Sequence, residues 1–268
     1  MHYDPIKRVL GNVFNRSSNL RIVFYKLLGL LLLRSWHIQK EIKRWALKIP
    51  DNATILDAGA GFGQYSYFLS EINPKWNILA VDVKEEQVCD CNTFFRTIKK
   101  DNVLFKIEDL TTFQKPGSFD LILSVDVMEH ILEDVLVFKN FHASLKEGGM
   151  LLISTPSDQG GSDVSEDGES SFIEEHVRDG YNIGEIEQKL KSVGFTRVSA
   201  RYSYGNPGKI SWKLSMKYPI QMLGISKLFF IVLPFYYFVT FPVAYLLNYM
   251  DTNMIHKTGT GLIVRAWK

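Results

Sequence analysis

The sequence predicts a doubly wound α/β fold with a mostly parallel sheet, and two observations support this prediction. From residue 54 onward, short apolar runs alternate with longer amphipathic ones, as expected when crossover helices join parallel strands. The first apolar run also leads directly into a glycine-rich turn and a helical pattern, in residues 55–63 with the sequence Ile-Leu-Asp-Ala-Gly-Ala-Gly-Phe-Gly. At 268 residues, the chain is long enough for one domain of this kind with appendages.

The predicted strands are short runs rich in apolar residues that end at polar or glycine positions. In chain order they are Thr54–Ala58, Asn77–Val81, Val103–Ile107, Phe119–Val125, Met150–Ser154, Thr196–Tyr202 and Gly261–Trp267. Apolar residues at three- and four-residue spacing predict the helices between them. In chain order these are Gly63–Glu71, Glu85–Lys99, Glu133–Leu145 and Ile183–Val193, the last one ended by Gly194.

A basic amphipathic segment, residues 1–49, is predicted to precede the α/β domain, which covers residues 50–268. Apolar residues recur at helical spacing over residues 20–49, and Pro50 ends the pattern. Through Lys48 this segment carries ten Lys or Arg residues against two acidic ones. We therefore expect N-terminal helices with a basic surface.

Composition limits the kinds of binding partner and the cellular compartment that we expect for this protein. The formal net charge is only +2, which argues against a nucleic-acid binder held by bulk electrostatics. Cys89 and Cys91 are too close to bridge comfortably, which favours a reduced, cytoplasmic environment. The apolar run Leu27–Leu33 lies deep in the chain and is cut off by Arg34, so it is interpreted as part of a basic amphipathic helix rather than as an export signal.

Two segments of the α/β domain depart from the alternating pattern. Residues 156–175 are rich in Asp, Glu, Gly and Ser and contain no basic residue, which predicts a solvated, mobile loop. Residues 209–256 form a strongly apolar insert before the last strand, and its helical content is expected to lie outside the sheet.

The glycine turn ends a buried strand, and Asp57 occupies the end of that strand. Glycines at such a turn let a ligand approach the main chain, although a short glycine loop also serves as a simple tight turn. The dinucleotide fingerprint requires a third glycine where this chain has Gln64. A carboxylate beside the turn would repel a pyrophosphate, whereas it suits a ligand that bears an ammonium group.

Two more acids follow the next two strands. Asp82 ends the second strand, where a carboxylate can accept both hydroxyls of a ribose, and Asp109 follows the third, where it can accept from an adenine amino group. The alternative interpretation of each residue is an exposed acid at a strand end that binds no ligand. Because the carboxyl ends of parallel strands face one crevice, we expect the three acids to lie around the same ligand.

These motifs resemble the class I S-adenosylmethionine-dependent methyltransferases, which have a Rossmann-like fold, and the resemblance covers roughly residues 50–195. It depends on the glycine turn, on the acids after the strands, on the stretch Phe119–His130 and on the stretch Leu145–Ser154. The resemblance implies S-adenosylmethionine as cofactor and methyl transfer as the activity. It implies that the methionine end, the ribose and the adenine are held by a set of cofactor-binding residues: Asp57, Gly59, Gly61, Gly63, Asp82, Val83, Asp109, Leu110 and Ser124.

Two histidines are candidate catalytic residues, His130 as the base that removes a proton from the acceptor and His176 as a contact to the acceptor. His130 follows the fourth strand beside the crevice, and His176 lies after the acidic loop, with Arg178 as a neighbour that would contact the acceptor. The alternatives are a structural hydrogen-bonding role for His130 and a solvated charge cluster around His176. No metal-ligand spacing is present, so metal-dependent methyl transfer is disfavoured.

The apolar insert points to the kind of acceptor. Residues 228–250 carry no charge and are long enough for one membrane crossing, but the strands on either side are expected to pair in one sheet, so both flanks lie on one side of the bilayer. Pro234 and Pro242 are predicted to break a continuous helix. We therefore expect a segment that dips into the membrane and returns, or lies flat on it, in a peripheral or monotopic protein on the inner membrane face.

The leading prediction is methyl transfer to a lipid-like or amphiphilic small molecule at the membrane surface. Two alternatives stay open at the level of sequence. One is a methyltransferase for a soluble small molecule, with the insert as a lid over the acceptor pocket. The other is a non-catalytic module that binds the cofactor or recruits a partner to a membrane.

Overall fold

The structure is a computed structural model that describes residues 17–49, 51–160 and 177–268. His176 and most of the predicted acidic loop lie outside the described residues, as does Pro50. The domain boundary predicted at residue 50 stays a prediction.

In the described part of the chain, two helices precede the sheet: α1 (Ser18–Leu31) and α2 (Leu33–Ala46). Leu32 has an extended backbone and separates the two helices. The two helices pack closely on either side of Leu32, since a Cβ on Gly29 of α1 would lie 3.0 Å from Gln39 Nε2 of α2. The break at Leu32 allows both helices to pack on the same side of the domain.

Seven strands of the described residues form one sheet with the order β3-β2-β1-β4-β5-β7-β6. They are β1 (Thr54–Ala58), β2 (Asn77–Asp82), β3 (Val103–Ile107), β4 (Phe119–Val125), β5 (Leu145–Pro156), β6 (Arg197–Ser203) and β7 (Gly261–Trp267). Strands β1 to β5 pair in parallel, and β7 lies antiparallel between β5 and β6. The predicted doubly wound, mostly parallel sheet is confirmed.

Helices cover both faces of this sheet. After the first two they are α3 (Gln64–Ile72), α4 (Glu85–Thr97), α5 (Asp134–Ser144), α6 (Ile183–Ser192), α7 (Asn206–Trp212), α8 (Tyr218–Ile225) and α9 (Phe229–Asn253). On one face, Ile38 and Ile42 of α2 pack with Leu69 of α3 in a buried cluster. On the other face, Phe138 of α5 packs with Leu190 of α6. The continuous apolar strands of the sequence are therefore buried on both sides, as in other parallel sheets.

The apolar insert forms a helical hairpin, residues 206–253. Helix α7, a π-helical turn (Lys213–Lys217) and α8 make the first arm, and α9 makes the second. Because β6 and β7 pair with each other, both ends of the hairpin return to the same region of the sheet, as the sequence predicts. The hairpin begins and ends at the edge of the sheet where β4 and β5 also end.

The prediction that the prolines would break the second arm is wrong, because α9 is one helix of 25 residues that contains both Pro234 and Pro242. Each proline removes one backbone hydrogen bond from the helix. Contacts with the first arm compensate, since Tyr236 OH donates to Leu214 O at 2.7 Å and Tyr237 OH donates to Ser215 O at 2.8 Å. The hairpin partner therefore preserves a helix that would be weak in isolation.

Candidate functional site

The glycine turn after β1 is shaped by residues with positive φ. Gly59, Gly61 and Gly63 have φ values of 75°, 51° and 78°. A Cβ on Gly59 would lie 2.3 Å from Cγ2 of Val127, so this position packs tightly against the chain that follows β4. A Cβ on Gly61 would meet nothing within 4 Å. The turn is therefore closed on the protein side and open at Gly61, which leaves its main chain accessible to a ligand.

Asp82, at the end of β2, faces this turn. Gly61 N donates to its Oδ2 at 2.9 Å, and Lys84 N donates to its Oδ1 at 3.0 Å. Two carboxylate oxygens offer about four acceptor positions, so these two bonds leave acceptor capacity for hydroxyl groups. The carboxylate also holds the glycine turn in place, which the sequence did not indicate.

Asp57 is buried below the turn, and only 3% of the residue is exposed. Ser66 Oγ donates to its Oδ2 at 2.6 Å. Burial raises the pKa of Asp57 to about 6. The negative charge of the nearby Asp82 also raises this pKa, to a smaller extent, whereas the hydrogen bonds from Ser66 lower it. A cation placed near this carboxyl would favour its ionised form. The site is therefore suited to a ligand with a positive charge rather than to a pyrophosphate.

The remaining predicted cofactor residues fall into two environments. Asp109 is exposed and accepts from Thr111 N at 2.8 Å and from Thr111 Oγ1 at 2.7 Å, which lowers the pKa of its carboxyl. Leu110 is buried, whereas the side chain of Val83 is exposed. Ser124 is fully buried, and its Oγ has no hydrogen-bond partner among the described residues. The open turn at Gly61 is compatible with a polar ligand at this edge of the sheet, whereas the buried Ser124 hydroxyl is not accessible to one in this structure.

His130 ends a short 3-10 turn, Met128–His130, directly after β4, and its side chain is exposed. The neighbouring Glu129 is buried, and its Oε2 accepts from Thr155 Oγ1 at 3.1 Å. Burial raises the pKa of Glu129, while His130 and Arg34 partly oppose that shift. The structure therefore places His130 at the crevice edge of the sheet, and its catalytic role stays a prediction.

Arg178 does not belong to a solvated charge cluster. Its guanidinium forms an ion pair with the buried Asp134, and its NH2 group donates to Ile131 O at 2.6 Å. Asp134 also accepts from Tyr181 OH at 2.7 Å and from Lys189 Nζ at 2.8 Å. Arg178 therefore ties the chain that follows the acidic loop to the residues after His130, and the alternative of a solvated cluster is wrong for this residue.

Helix α1 covers the glycine turn, which the sequence did not reveal. Arg21 NH2 and Tyr25 OH both donate to the carbonyl of Phe62 inside the turn. Arg21 NH1 also pairs with Asp90 of α4 at 2.5 Å. These partners lie far apart in the chain, and a lone Arg in an apolar helix carries no local signal of its target. The helix shields one side of the turn from solvent.

Helix α2 contributes polar groups to the crevice. Arg34 forms an ion pair with Asp126, which follows β4 and has a φ of 52°. The backbone N–H of Arg34 donates to Tyr204 OH at 3.0 Å, and Gln64 Nε2 donates to Ser35 Oγ at 3.0 Å. The crevice is therefore bounded by the strand ends on one side and by the N-terminal helices on the other.

No group of three or more His, Cys, Asp or Glu side chains suited to a metal ion occurs in the ranges that the structure describes.

Comparison with known proteins places this arrangement in a family. Residues 49–196 match a family model described as a methyltransferase domain. Phosphoethanolamine N-methyltransferase 1 of Arabidopsis thaliana is 32% identical over 166 residues, which cover 58% of this chain and 31% of that protein. A ubiquinone biosynthesis O-methyltransferase of Xanthomonas campestris is 28% identical over 38% of this chain and 43% of its own. The chain thus matches less than half the length of these curated relatives.

Solved structures share the fold. Phosphoethanolamine N-methyltransferase 2 of Haemonchus contortus, in complex with S-adenosyl-L-methionine, superposes with a TM-score of 0.62 and 20% identity. The superposition covers 85% of this chain and 51% of that one. At this level of identity, the likeness establishes the common fold alone.

Proposed function

Because the chain belongs to the class I S-adenosylmethionine-dependent methyltransferases, we propose that it transfers the methyl group of this cofactor to an amphiphilic small molecule at a membrane surface. The cofactor supplies an electrophilic methyl group on a sulfonium. We assign its ribose to Asp82, its ammonium group to the surroundings of Asp57 and Gly61, and its adenine to Asp109 and Leu110. The protein's part in catalysis is then mainly to align the acceptor and to exclude water, and orientation of this kind contributes on the order of 7–11 kcal/mol.

The observation that carries the membrane part of the proposal is the reversed polarity of the helical hairpin. Most of its large exposed side chains are apolar, and they include Ile231, Phe235, Phe238 and Val239. Its buried side chains are small or polar and include Ser211, Ser215, Asn248 and Thr252. Ser211 Oγ donates to Asn248 Oδ1 at 2.6 Å between the two arms. Polar contacts inside and apolar side chains outside are typical of helices that pack in lipid.

Length and charge agree with this arrangement. Helix α9 is long and apolar enough to cross a membrane, and only 6% of its most apolar stretch is buried in the protein. Since both arms return to the sheet, we propose that the hairpin dips into one leaflet and returns. Lys209 and Lys213, in the part of the first arm nearest the sheet, would then meet lipid headgroups. The free cysteines, Cys89 and Cys91, are consistent with the cytoplasmic side.

Replacing Phe238 by Ser is expected to weaken binding to phospholipid vesicles about 30-fold. The Phe238 side chain is 83% exposed, and moving an exposed Phe into lipid contributes about 2 kcal/mol. Vesicle flotation measures this partition. Leu104→Ser on strand β3 is the matched control, because Leu104 is also exposed but lies on the edge strand farthest from the hairpin.

Two results would contradict the membrane part of the proposal. One is a wild-type protein that stays wholly in solution without detergent and ignores vesicles, which would make the hairpin a lid over a soluble acceptor. The other is a Leu104→Ser variant that loses as much binding as Phe238→Ser. Protease accessibility of both hairpin flanks from the same side of the vesicle tests the topology.

Replacing His130 by Gln is expected to lower kcat about 100-fold. If His130 removes the acceptor's proton, the loss falls at the low end of the range for a positioned base, because the sulfonium donor is already reactive. A variant whose turnover and pH profile match those of the wild type, under single-turnover conditions that isolate methyl transfer, would exclude this role.

The relatives' names indicate the kind of acceptor atom. One is named for N-methylation of phosphoethanolamine and the other for O-methylation in ubiquinone biosynthesis. We propose a nitrogen or oxygen acceptor on a molecule with an apolar portion. Incubating lipid extracts with labelled S-adenosylmethionine and identifying the labelled product tests this assignment. Label that enters only the water-soluble fraction would contradict it.

A further inference from the structure

Three guanidinium groups surround one buried carboxylate where α2 packs against strands β6 and β7. Glu41 is only 2% exposed, and Arg44 NH1 and Arg201 NH2 approach its Oε1 at 3.4 Å and 3.2 Å. Arg265 NH1 approaches its Oε2 at 3.2 Å. Lys40, the residue before Glu41, completes the group. We call these five residues the Glu41 cluster.

The cluster carries more positive than negative charge. Four cations against one carboxylate leave a formal excess of three. The next carboxylate, Asp251, lies behind His37 and is fully buried, and counting it still leaves an excess of two. The excess affects Arg201: burial lowers its pKa, the like charges of Arg265 and Arg44 lower it further, and Glu41 only partly opposes them.

Several donors of these guanidinium groups face solvent. The side chain of Arg44 is 57% exposed, that of Arg265 is 29% exposed and that of Arg201 is 21% exposed. Each guanidinium has five N–H donors, and the bonds found here occupy only one or two of them per residue. A small anion at the surface can therefore reach more than one guanidinium without displacing Glu41.

The cluster adjoins the base of the hairpin. Lys40 Nζ donates to Thr252 O at 2.7 Å and to Asn253 Oδ1 at 2.6 Å, in the last turn of α9. Arg201 lies two residues before the end of β6, from which the first arm begins. If the hairpin enters a leaflet, its base and this cluster lie at the level of the lipid headgroups.

We propose that the Glu41 cluster binds the phosphate of an anionic phospholipid headgroup and so anchors the base of the hairpin. This inference rests on the proposed membrane attachment. The planar fork of a guanidinium matches two oxygens of a phosphate, and three such forks around one buried carboxylate form a preorganised site of net positive charge. The hairpin supplies apolar contact, and the cluster supplies the preference for anionic lipid.

The test compares flotation on vesicles of phosphatidylcholine alone with flotation on vesicles that also contain phosphatidylglycerol. We expect Arg44→Gln to weaken binding to the anionic vesicles about fivefold and Arg44→Gln with Arg265→Gln about 25-fold. Binding to the neutral vesicles should not change. Lys106→Gln is the matched control, because this exposed lysine lies on β3, at the opposite edge of the sheet.

The outcomes separate this inference from the proposed function. Wild-type protein that binds both kinds of vesicle equally, or cluster variants that behave like Lys106→Gln, overturn the inference and leave the hairpin proposal standing. Wild-type protein that binds no vesicles overturns both. If inorganic phosphate then raises the melting temperature of the wild type but not of the double variant, the cluster binds a soluble anion, and the assignment of a phospholipid headgroup as its ligand is wrong. Thermal unfolding without phosphate verifies that the variants fold.

Discussion

Replacing Asp251 by Ala is expected to lower the free energy of unfolding by about 3–5 kcal/mol. This carboxylate lies at the base of the hairpin and is fully buried. Its Oδ1 interacts with His37 Nε2 at 2.9 Å, and its Oδ2 lies 3.2 Å from His256 Nε2. The backbone N–H groups of Tyr204 and Gly208 also donate to it. Removing the carboxylate leaves His37 Nε2 and the N–H groups of Tyr204 and Gly208 without this acceptor, whereas His256 Nε2 keeps the main-chain oxygen of residue 251 at 2.9 Å.

Urea unfolding measures the loss. The matched control is Asp51→Ala, because Asp51 also forms an ion pair, with Lys75 at 3.2 Å, but its side chain is 78% exposed. We expect that control to change stability by less than about 1 kcal/mol. Equal losses in the two variants would show that the buried network does not hold the hairpin base.

The same network predicts how stability depends on pH. Burial lowers the pKa of His37 below its ordinary value of 6.5, and the charges of Arg201 and His256 act in the same direction, although Asp251 opposes them. Below pH 6.5 the unfolded chain therefore takes up a proton that the folded protein resists, so stability falls as the pH drops through that range. For Asp251, hydrogen bonds from His37 lower the pKa despite burial, and its contribution is lost only at more acidic pH.

Comparing wild type with His37→Gln isolates this effect, because the other titrating groups cancel in the difference. We expect wild type to lose up to about 1.4 kcal/mol more than the variant for each pH unit below 6.5. Identical slopes of stability against pH for the two proteins would contradict the assignment.

Replacing Asp82 by Ala is expected to weaken binding of S-adenosylmethionine about 150-fold. Two hydrogen bonds from the ribose hydroxyls to a carboxylate contribute about 1.5 kcal/mol each, which together give about 3 kcal/mol. The variant also loses the acceptor for Gly61 N, so the glycine turn itself becomes less well held. Calorimetry with the cofactor and with its demethylated product measures the affinity.

Asp101→Ala is the matched control for this measurement, because Asp101 is an exposed acid in the turn before β3, away from the crevice. Its cofactor affinity should equal that of the wild type. Unchanged affinity in Asp82→Ala, in protein shown to be folded by its unfolding transition, would mean that Asp82 holds the turn and does not bind the ribose.

Local patterns were enough to predict most of the α/β domain. Strands β1, β3, β4 and β7 have the predicted bounds, because runs of buried apolar residues between polar ends leave little choice of boundary. The glycine turn and its acids could also be found, since ligand chemistry at the end of a strand requires particular residue types at short spacing.

The elements that bound the site could not be predicted in this way. Arg21, Arg34 and Glu41 find their partners across the fold, and the partner of Glu41 in β7 lies 224 residues away. No local spacing encodes such contacts. His37 shows the same limit, because its role depends on Asp251, which belongs to the far end of the insert.

By itself, the sequence determined which segments become strands and helices, where the glycine turn follows the first strand, and that an uncharged apolar segment interrupts the sheet. These properties depend on the period of the apolar residues and on the backbone freedom of glycine. Only the tertiary structure decided that α9 stays continuous through two prolines, that it turns its polar residues inward, and that cations gather around Glu41. Those outcomes depend on neighbours that packing brings together, and the free energy of such contacts exists only in the folded chain.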